Sequence, residues 1–415
     1  MEGDAGSGSA SPGRSRISCV NALIVALNET CDGKSWYTST KELQLASLEI
    51  CKACRTHRTM HLYVDPDTPR RLLAAAAASP PHSKRLGRTR VPRLKARHVT
   101  WNMRTAESLN NPIFAMTDVD GLKFGDAFEG SLDAVKWPRR LKEIEFQWDS
   151  PFNQPIDMVD WPDSLQTLVF GLSLNQPIER VQFPASLQRL IFDGCFDQQI
   201  VGGFLPSSLQ ELDLGEEFDQ PIEDVAWPLT LQKLCFGQYF NQPIERAKFP
   251  SSLQEIAFNG FSRFNQPIEG VLWPDSLQML ILGNSFNQPV DRVRWPRSLQ
   301  ELSFGVCFEL PGDKSIGIFS EFNQCISMSV WPASLRRLTL GHKFRQSLEG
   351  LGTWMPNLEA LRVVDWRYGP GKDDSLLCGI EWPTSLRELT VYNDSSSDGV
   401  EVPSTVHVYR PGPRR

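Results

Sequence analysis

Four residues near the N-terminus have the side chains to hold a metal: Cys51, Cys54, His57 and His61. Thiolates and imidazoles are the usual ligands of tetrahedral zinc. The two-residue spacer between Cys54 and His57 is far shorter than the loop of a zinc finger, so a cysteine-bearing amphipathic helix competes with zinc at this place. A second array of reactive groups is the acidic series Asp157, Glu179, Glu223, Glu245, Glu269 and Asp291. Paired carboxylates do acid/base chemistry, but one position repeated down a chain describes a solvated ridge, and Arg180, Arg246 and Arg292 follow directly to neutralise it. The chain has six histidines, and only His342 stands among well-formed repeats, without a nucleophile motif beside it. Gly312-Asp313-Lys314-Ser315 lacks the glycine spacing of a phosphate loop. Neither catalytic residues nor a cofactor are expected, and no enzyme activity.

What positions these side chains is a repeated phrase. Phe152-Asn153-Gln154-Pro155-Ile156, Trp161-Pro162 and Ser164-Leu165-Gln166-Thr167-Leu168-Val169-Phe170-Gly171 show it in full. The leading residue recurs at Phe128, Phe152, Leu174, Phe196, Phe218, Phe240, Phe264, Phe286, Phe322 and Phe344, mostly 22 residues apart. Such a period denotes a solenoid, in which each unit packs only on its neighbours. Leu-x-x-Leu-x-Phe ends in strict alternation, which predicts one short strand per coil with the apolar residues inward. Successive coils run the same way, so the strands should form one parallel sheet. Proline after the tryptophan lacks an N–H and belongs in the connecting segment. Asn and Gln after the leading Phe are placed to bond the backbone of adjacent turns.

The Leu-x-x-Leu-x-Phe core resembles the leucine-rich repeat, and the complete phrase is similar to the FNIP repeat, over residues 109–408. The resemblance implies a curved stack with its strands on the concave side, and a role in protein interaction. Gln199 and Cys325 stand where the family has proline, and the unit from Phe344 is degenerate, which puts the local geometry of these coils in question. The fold class predicted is thus an α/β solenoid, mostly β: a leucine-rich-repeat-like curved stack of about 22-residue coils, preceded by a short helical N-terminal segment. The alternative is a parallel β-helix, with more than one strand per coil.

The segments divide as a tail (1–16), a helical segment (17–64), a basic Pro/Ala-rich linker (65–97), the solenoid (98–408, with an insertion at 306–321) and a second tail (409–415). Net charge is −6, yet Pro69–Ala106 holds ten basic residues and no acidic one. A basic arm on an acidic body suits nucleic acid, nuclear entry, or contact with the body itself. The absence of interleaved aromatics disfavours nucleic acid. Leu43–Lys52 is similar to the second half of an F-box, a hook for ubiquitin-ligase scaffolds, without its Leu-Pro opening. Ala22–Asn28, with Trp36, is equally similar to the helical cap before some leucine-rich repeats. Nine scattered cysteines argue against a disulfide framework. No stretch reaches transmembrane length, and a cytoplasmic setting is expected, with the nucleus open through the basic run 84–97.

The strand face is the candidate site. One outward column contains Arg189, Glu211, Lys233, Glu255, Met279 and Glu301, and its charges alternate from Arg189 to Glu255. The next contains Asp213, Cys235 and Ile281 on a floor of small or apolar residues, with Asp213 placed to anchor a basic partner residue. The insertion adds Phe308 and Phe319. The partner expected is a protein. A ligase scaffold and nucleic acid are the rival partners, and no membrane is expected.

Overall fold

The computed structural model describes residues 61–64, 98–101, 119–200, 202–307, 318–364, 377, 379–392 and 402–409. One strand per coil is what forms. In chain order they are β1 (His61–Val64), β2 (His98–Trp101), β3 (Gly121–Phe124), β4 (Glu143–Phe146), β5 (Thr167–Phe170), β6 (Arg189–Phe192), β7 (Glu211–Asp213), β8 (Lys233–Phe236), β9 (Glu255–Phe258), β10 (Met279–Leu282) and β11 (Glu301–Phe304). After β12 (Val306–Cys307) and β13 (Ile318–Phe319) come β14 (Arg337–Leu340), the one-turn helix α1 (Leu351–Trp354), β15 (Ala360–Val364), β16 (Glu388–Tyr392) and β17 (His407–Tyr409). All but β12 and β13 join a single 15-stranded sheet in sequence order. Neighbours in it are parallel and in register, so that Thr167 faces Arg189, Arg189 faces Glu211 and Glu211 faces Lys233.

The sheet begins at β1, inside the segment expected to be helical. Its strand pairs residue for residue with β2, so the solenoid reaches back to His61. Residues 1–60 lie outside the described residues. The insertion starts and ends in a short antiparallel pair, Val306 opposite Phe319.

Stacking of like on like supplies the core. The leading phenylalanines form one column: ring centroids lie 6.2 Å apart for Phe196–Phe218, 6.0 Å for Phe218–Phe240 and 6.1 Å for Phe240–Phe264. The strand-ending phenylalanines form a second, with Phe170 and Phe192 5.6 Å apart. Trp-Pro tryptophans make a third, as in Trp137–Trp161 at 5.7 Å and Trp295–Trp331 at 5.3 Å. Offset aromatic pairs at these separations stabilise beyond their area.

Polar ladders run beside the aromatic ones and close the loops. Oδ1 of Asn153, Asn175, Asp197, Asp219, Asn241, Asn265, Asn287 and Asn323 each accepts the backbone N–H of its counterpart one coil on, at 2.8–3.1 Å. Only an acceptor oxygen is needed there, which explains why Asp substitutes for Asn in two coils. The hydroxyl before the first Leu donates to a backbone carbonyl of the preceding coil, as Ser252 Oγ does to Leu231 O at 2.6 Å, and Thr230 keeps the bond to Leu209 O at 2.8 Å. Asn241→Ala should therefore cost about 1–3 kcal/mol, because it strands the Asn265 N–H; Gln266 Nε2 loses Oδ1 but keeps the backbone carbonyl of residue 241. Asn241→Asp should cost far less, and urea denaturation of the two variants checks the difference.

The longer coils share one device. Where the step is 24 or 36 residues, the added residues fall just before the next leading Phe, and a serine two before that Phe is buried: Ser150, Ser262 and Ser320. Each hydroxyl accepts the N–H of the Phe that follows. Each serine also fills the space over the strand-exit glycine of the next coil, so that a Cβ at Gly171, Gly283 or Gly341 would collide with the serine or its neighbours. The residues pushed outward include Trp148 and Phe261, both exposed.

The departures from the repeat phrase change little. Ile200 and Ile326, after Gln199 and Cys325, are fully buried like their counterparts. In the unit from Phe344 the single turn of α1 replaces the Trp-Pro step, yet Phe344 still stacks 6.1 Å from Phe322.

Candidate functional site

Strand alternation sorts each coil into a buried Leu and Phe and two outward side chains, which line up because the register is uniform. The first outward column is the series Thr167, Arg189, Glu211, Lys233, Glu255, Met279, Glu301 and Arg337, as the repeat spacing predicts. Its charges pair across strands: Arg189 with Glu211 at 2.8 Å, Lys233 with Glu255 at 3.1 Å and Arg337 with Glu301 at 3.2 Å. Lys123 and Glu145 pair likewise in the second column. These are part-exposed pairs, each contributing at most about 1 kcal/mol.

The second column is less open than its spacing suggests. Val169, Asp213, Cys235, Ala257 and Ile281 are half-buried, and Ile191 is 9% exposed. Ser303 and Thr339, in the same column, are buried, and the Ser303 hydroxyl bonds to the carbonyl of Gly305. The accessible floor thus runs from Val169 to Ile281.

Asp213 stands out electrostatically. Its carboxylate accepts the Gly215 N–H at 3.1 Å but makes no ion pair with any described residue, since Lys233 is engaged by Glu255. Burial pushes the Asp213 carboxyl up to about 6. The Gly215 hydrogen bond opposes the rise, the charges of Asp193 and Glu211 add to it, and Lys233 lowers it. Asp193 follows β6 on the adjoining coil, and burial also raises its carboxyl, with help from Glu216 and Glu145 and opposition from Arg189. Sequence reading missed Asp193. Its signal was the replacement of the strand-exit glycine seen at Gly171, Gly237 and Gly283. Cys235, beside Asp213, has its thiol pushed up to about 12, first by burial, so it is no thiolate nucleophile.

A carboxyl held above its ordinary value binds its proton more tightly in the folded chain than in the unfolded one. Asp213 therefore opposes folding in full above about pH 6, and the penalty fades as pH falls toward the ordinary 3.8. Asp213→Asn should stabilise the protein by about 1–3 kcal/mol at pH 7.5, allowing for partial exposure, and by much less at pH 4.5. Thermal denaturation at both pH values checks this.

Cys51, Cys54 and His57 lie outside the described residues, and His61 belongs to β1. Phe308 is likewise outside them, and Phe319 is in β13. No cluster of three His, Cys, Asp or Glu side chains fit for a metal occurs among the described residues. His342 Nδ1 accepts the Ser320 N–H at 3.0 Å, a structural bond. The acidic ridge is exposed except at half-buried Asp157 and is loosely paired, with Glu223 3.9 Å from Arg246 and Asp291 3.8 Å from Arg292. Among the described residues no helix is long and apolar enough to cross a membrane.

Comparison with known proteins places the fold. The family model described as FNIP Repeat matches residues 152–195, 175–217, 196–237, 218–261 and 264–307. Residues 152–307 thus carry FNIP repeats, in a solenoid of leucine-rich-repeat-like architecture. It is similar to CroV588, a crystal structure described as a novel circular LRR protein, at 27% identity and a TM-score of 0.56, over 78% of this chain and 50% of that one. The chain spans about half the length of that protein. An internalin (inlF) from Listeria monocytogenes aligns at 11% identity and a TM-score of 0.43, over 75% of this chain and 79% of the other. No curated protein matches the chain.

Proposed function

We propose that this chain is a non-enzymatic protein-interaction scaffold that holds a partner protein on the strand face of its solenoid, in the cytoplasm. One observation carries the reading: successive in-register strands present half-exposed side chains over the apolar floor Val169, Ile191, Ala257 and Ile281. A parallel sheet normally has both faces covered. An accessible face with an apolar floor is a surface on which another chain gains by burying itself. The paired charges in the first column set register more than affinity. The same reading draws on the fold, because a stack of coils offers a long surface.

Full-length protein carrying Ile191→Arg and Ile281→Arg should lose the partners that the parent chain captures, whereas Arg180→Glu on the exposed ridge should retain them. Capture that is insensitive to the paired arginines moves the binding surface off the strand face.

A further inference from the structure

We propose that the strand face around β6–β8 is a docking groove for an extended segment of a partner protein that presents a lysine or arginine. The partner's cation sits between Asp193 and Asp213, and its flanking apolar side chains lie on Val169, Ile191, Ala257 and Ile281. This rests on the strand-face reading above and deepens it.

Charge complementarity selects the occupant. Each basic side chain on this stretch already has an acidic partner, Arg189 in Glu211 and Lys233 in Glu255. Asp193 and Asp213, on adjoining coils, have none among the described residues, and Glu216 and Glu211 add further negative charge around them. Two carboxylates half-buried against an apolar floor are costly unless a cation meets them. The floor on both sides is uncharged over the width of two strands each way: Val169 and Ile191 before Asp213, Cys235 and Ala257 after it. Strands lie about 4.8 Å apart, so the four spacings from β5 to β9 span about 19 Å, a run of about six extended residues. The surface therefore reads one positive charge within a short apolar stretch. Further cations on a ligand would find Glu211 and Glu255 already engaged by Arg189 and Lys233.

The test uses full-length protein and two labelled synthetic peptides, acetyl-Val-Leu-Arg-Leu-Val-amide and the same peptide with Gln for Arg. The arginine peptide is expected to bind at least tenfold more tightly, and the preference is expected to vanish in the Asp193→Asn/Asp213→Asn variant, whose folding is confirmed by circular dichroism. Equal affinity for the two peptides, no binding of the arginine peptide at millimolar concentration, or a preference that survives the double variant overturns the anchor. The Ile191→Arg/Ile281→Arg variant separates the two readings. If it abolishes partner capture while the arginine preference is absent, the face stands and the anchor fails. The chain's own basic run is the competing occupant: replacing Arg88, Arg90 and Arg93 by Gln should leave peptide affinity unchanged. A severalfold gain would show that this run fills the groove instead.

Discussion

Phe192→Ala is expected to cost about 3–5 kcal/mol, in the range of large core truncations of aromatic residues. The ring is fully buried, lies 4.0 Å from Phe196 and 5.6 Å from Phe170, and so belongs to both phenylalanine columns at once. A coil cannot slide to fill the gap, because its ladder bonds tie it on both sides: Arg189 N–H to Gln166 O at 2.9 Å, and Glu211 N–H to Gln188 O at 3.0 Å. The cost should also be local. In a stack that coheres only through neighbouring contacts, weakening one coil separates the array into two partly independent blocks. Urea unfolding followed by two probes, one on each side of β6, should therefore lose coincidence in the variant. As a control, Leu229→Ala removes a residue that is 79% exposed and should shift stability by less than about 0.5 kcal/mol.

Deleting a whole coil should do less harm than deleting half of one. Removal of residues 218–239 joins Glu217 to Phe240, which takes over the place of Phe218 in the column. Asp197 then meets the Asn241 N–H in place of that of Asp219, and the Ser252 hydroxyl meets the Leu209 carbonyl in place of that of Leu231. Glu211 comes to lie beside Glu255, a like-charge contact costing roughly 0.2–1 kcal/mol. The shortened protein should keep its parallel-β circular dichroism and unfold at a modestly lower temperature. Removal of residues 218–228 alone sets the strand of that coil against loops and should abolish cooperative unfolding of the central repeats.

Much of this architecture was legible because a solenoid writes its structure once per coil. The strand positions, the stacked Phe and Trp columns and the Asn ladder each followed from one residue type at one offset. What escaped was aperiodic. The buried serines of the longer coils appear three times, and their role depends on a glycine in the next coil, a relation that no single unit displays. Strand β1 stands apart from the phrase, since His61–Val64 has no Trp-Pro or Phe-Asn beside it to mark its register. Ser303 and Thr339 stand at outward positions by alternation and are nonetheless buried. The candidate site was half legible: the charge alternation of Arg189, Glu211, Lys233 and Glu255 came from spacing, and the ion pairs bear it out. The juxtaposition of Asp193 and Asp213 did not, because one residue follows β6 and the other ends β7 on the next coil.

Uniform parallel register is the claim on which the columns, the ladders and the strand face all depend. Thr167 and Arg189 are direct partners across β5 and β6, whereas Thr167 and Glu211 are separated by a full strand. Disulfides require Cα atoms about 4.4–6.8 Å apart. Mild oxidation followed by peptide mapping should find a 167–189 crosslink in the Thr167→Cys/Arg189→Cys protein and no 167–211 crosslink in the Thr167→Cys/Glu211→Cys protein. Crosslinking of the second pair with failure of the first would contradict the register, and with it the strand face built upon it.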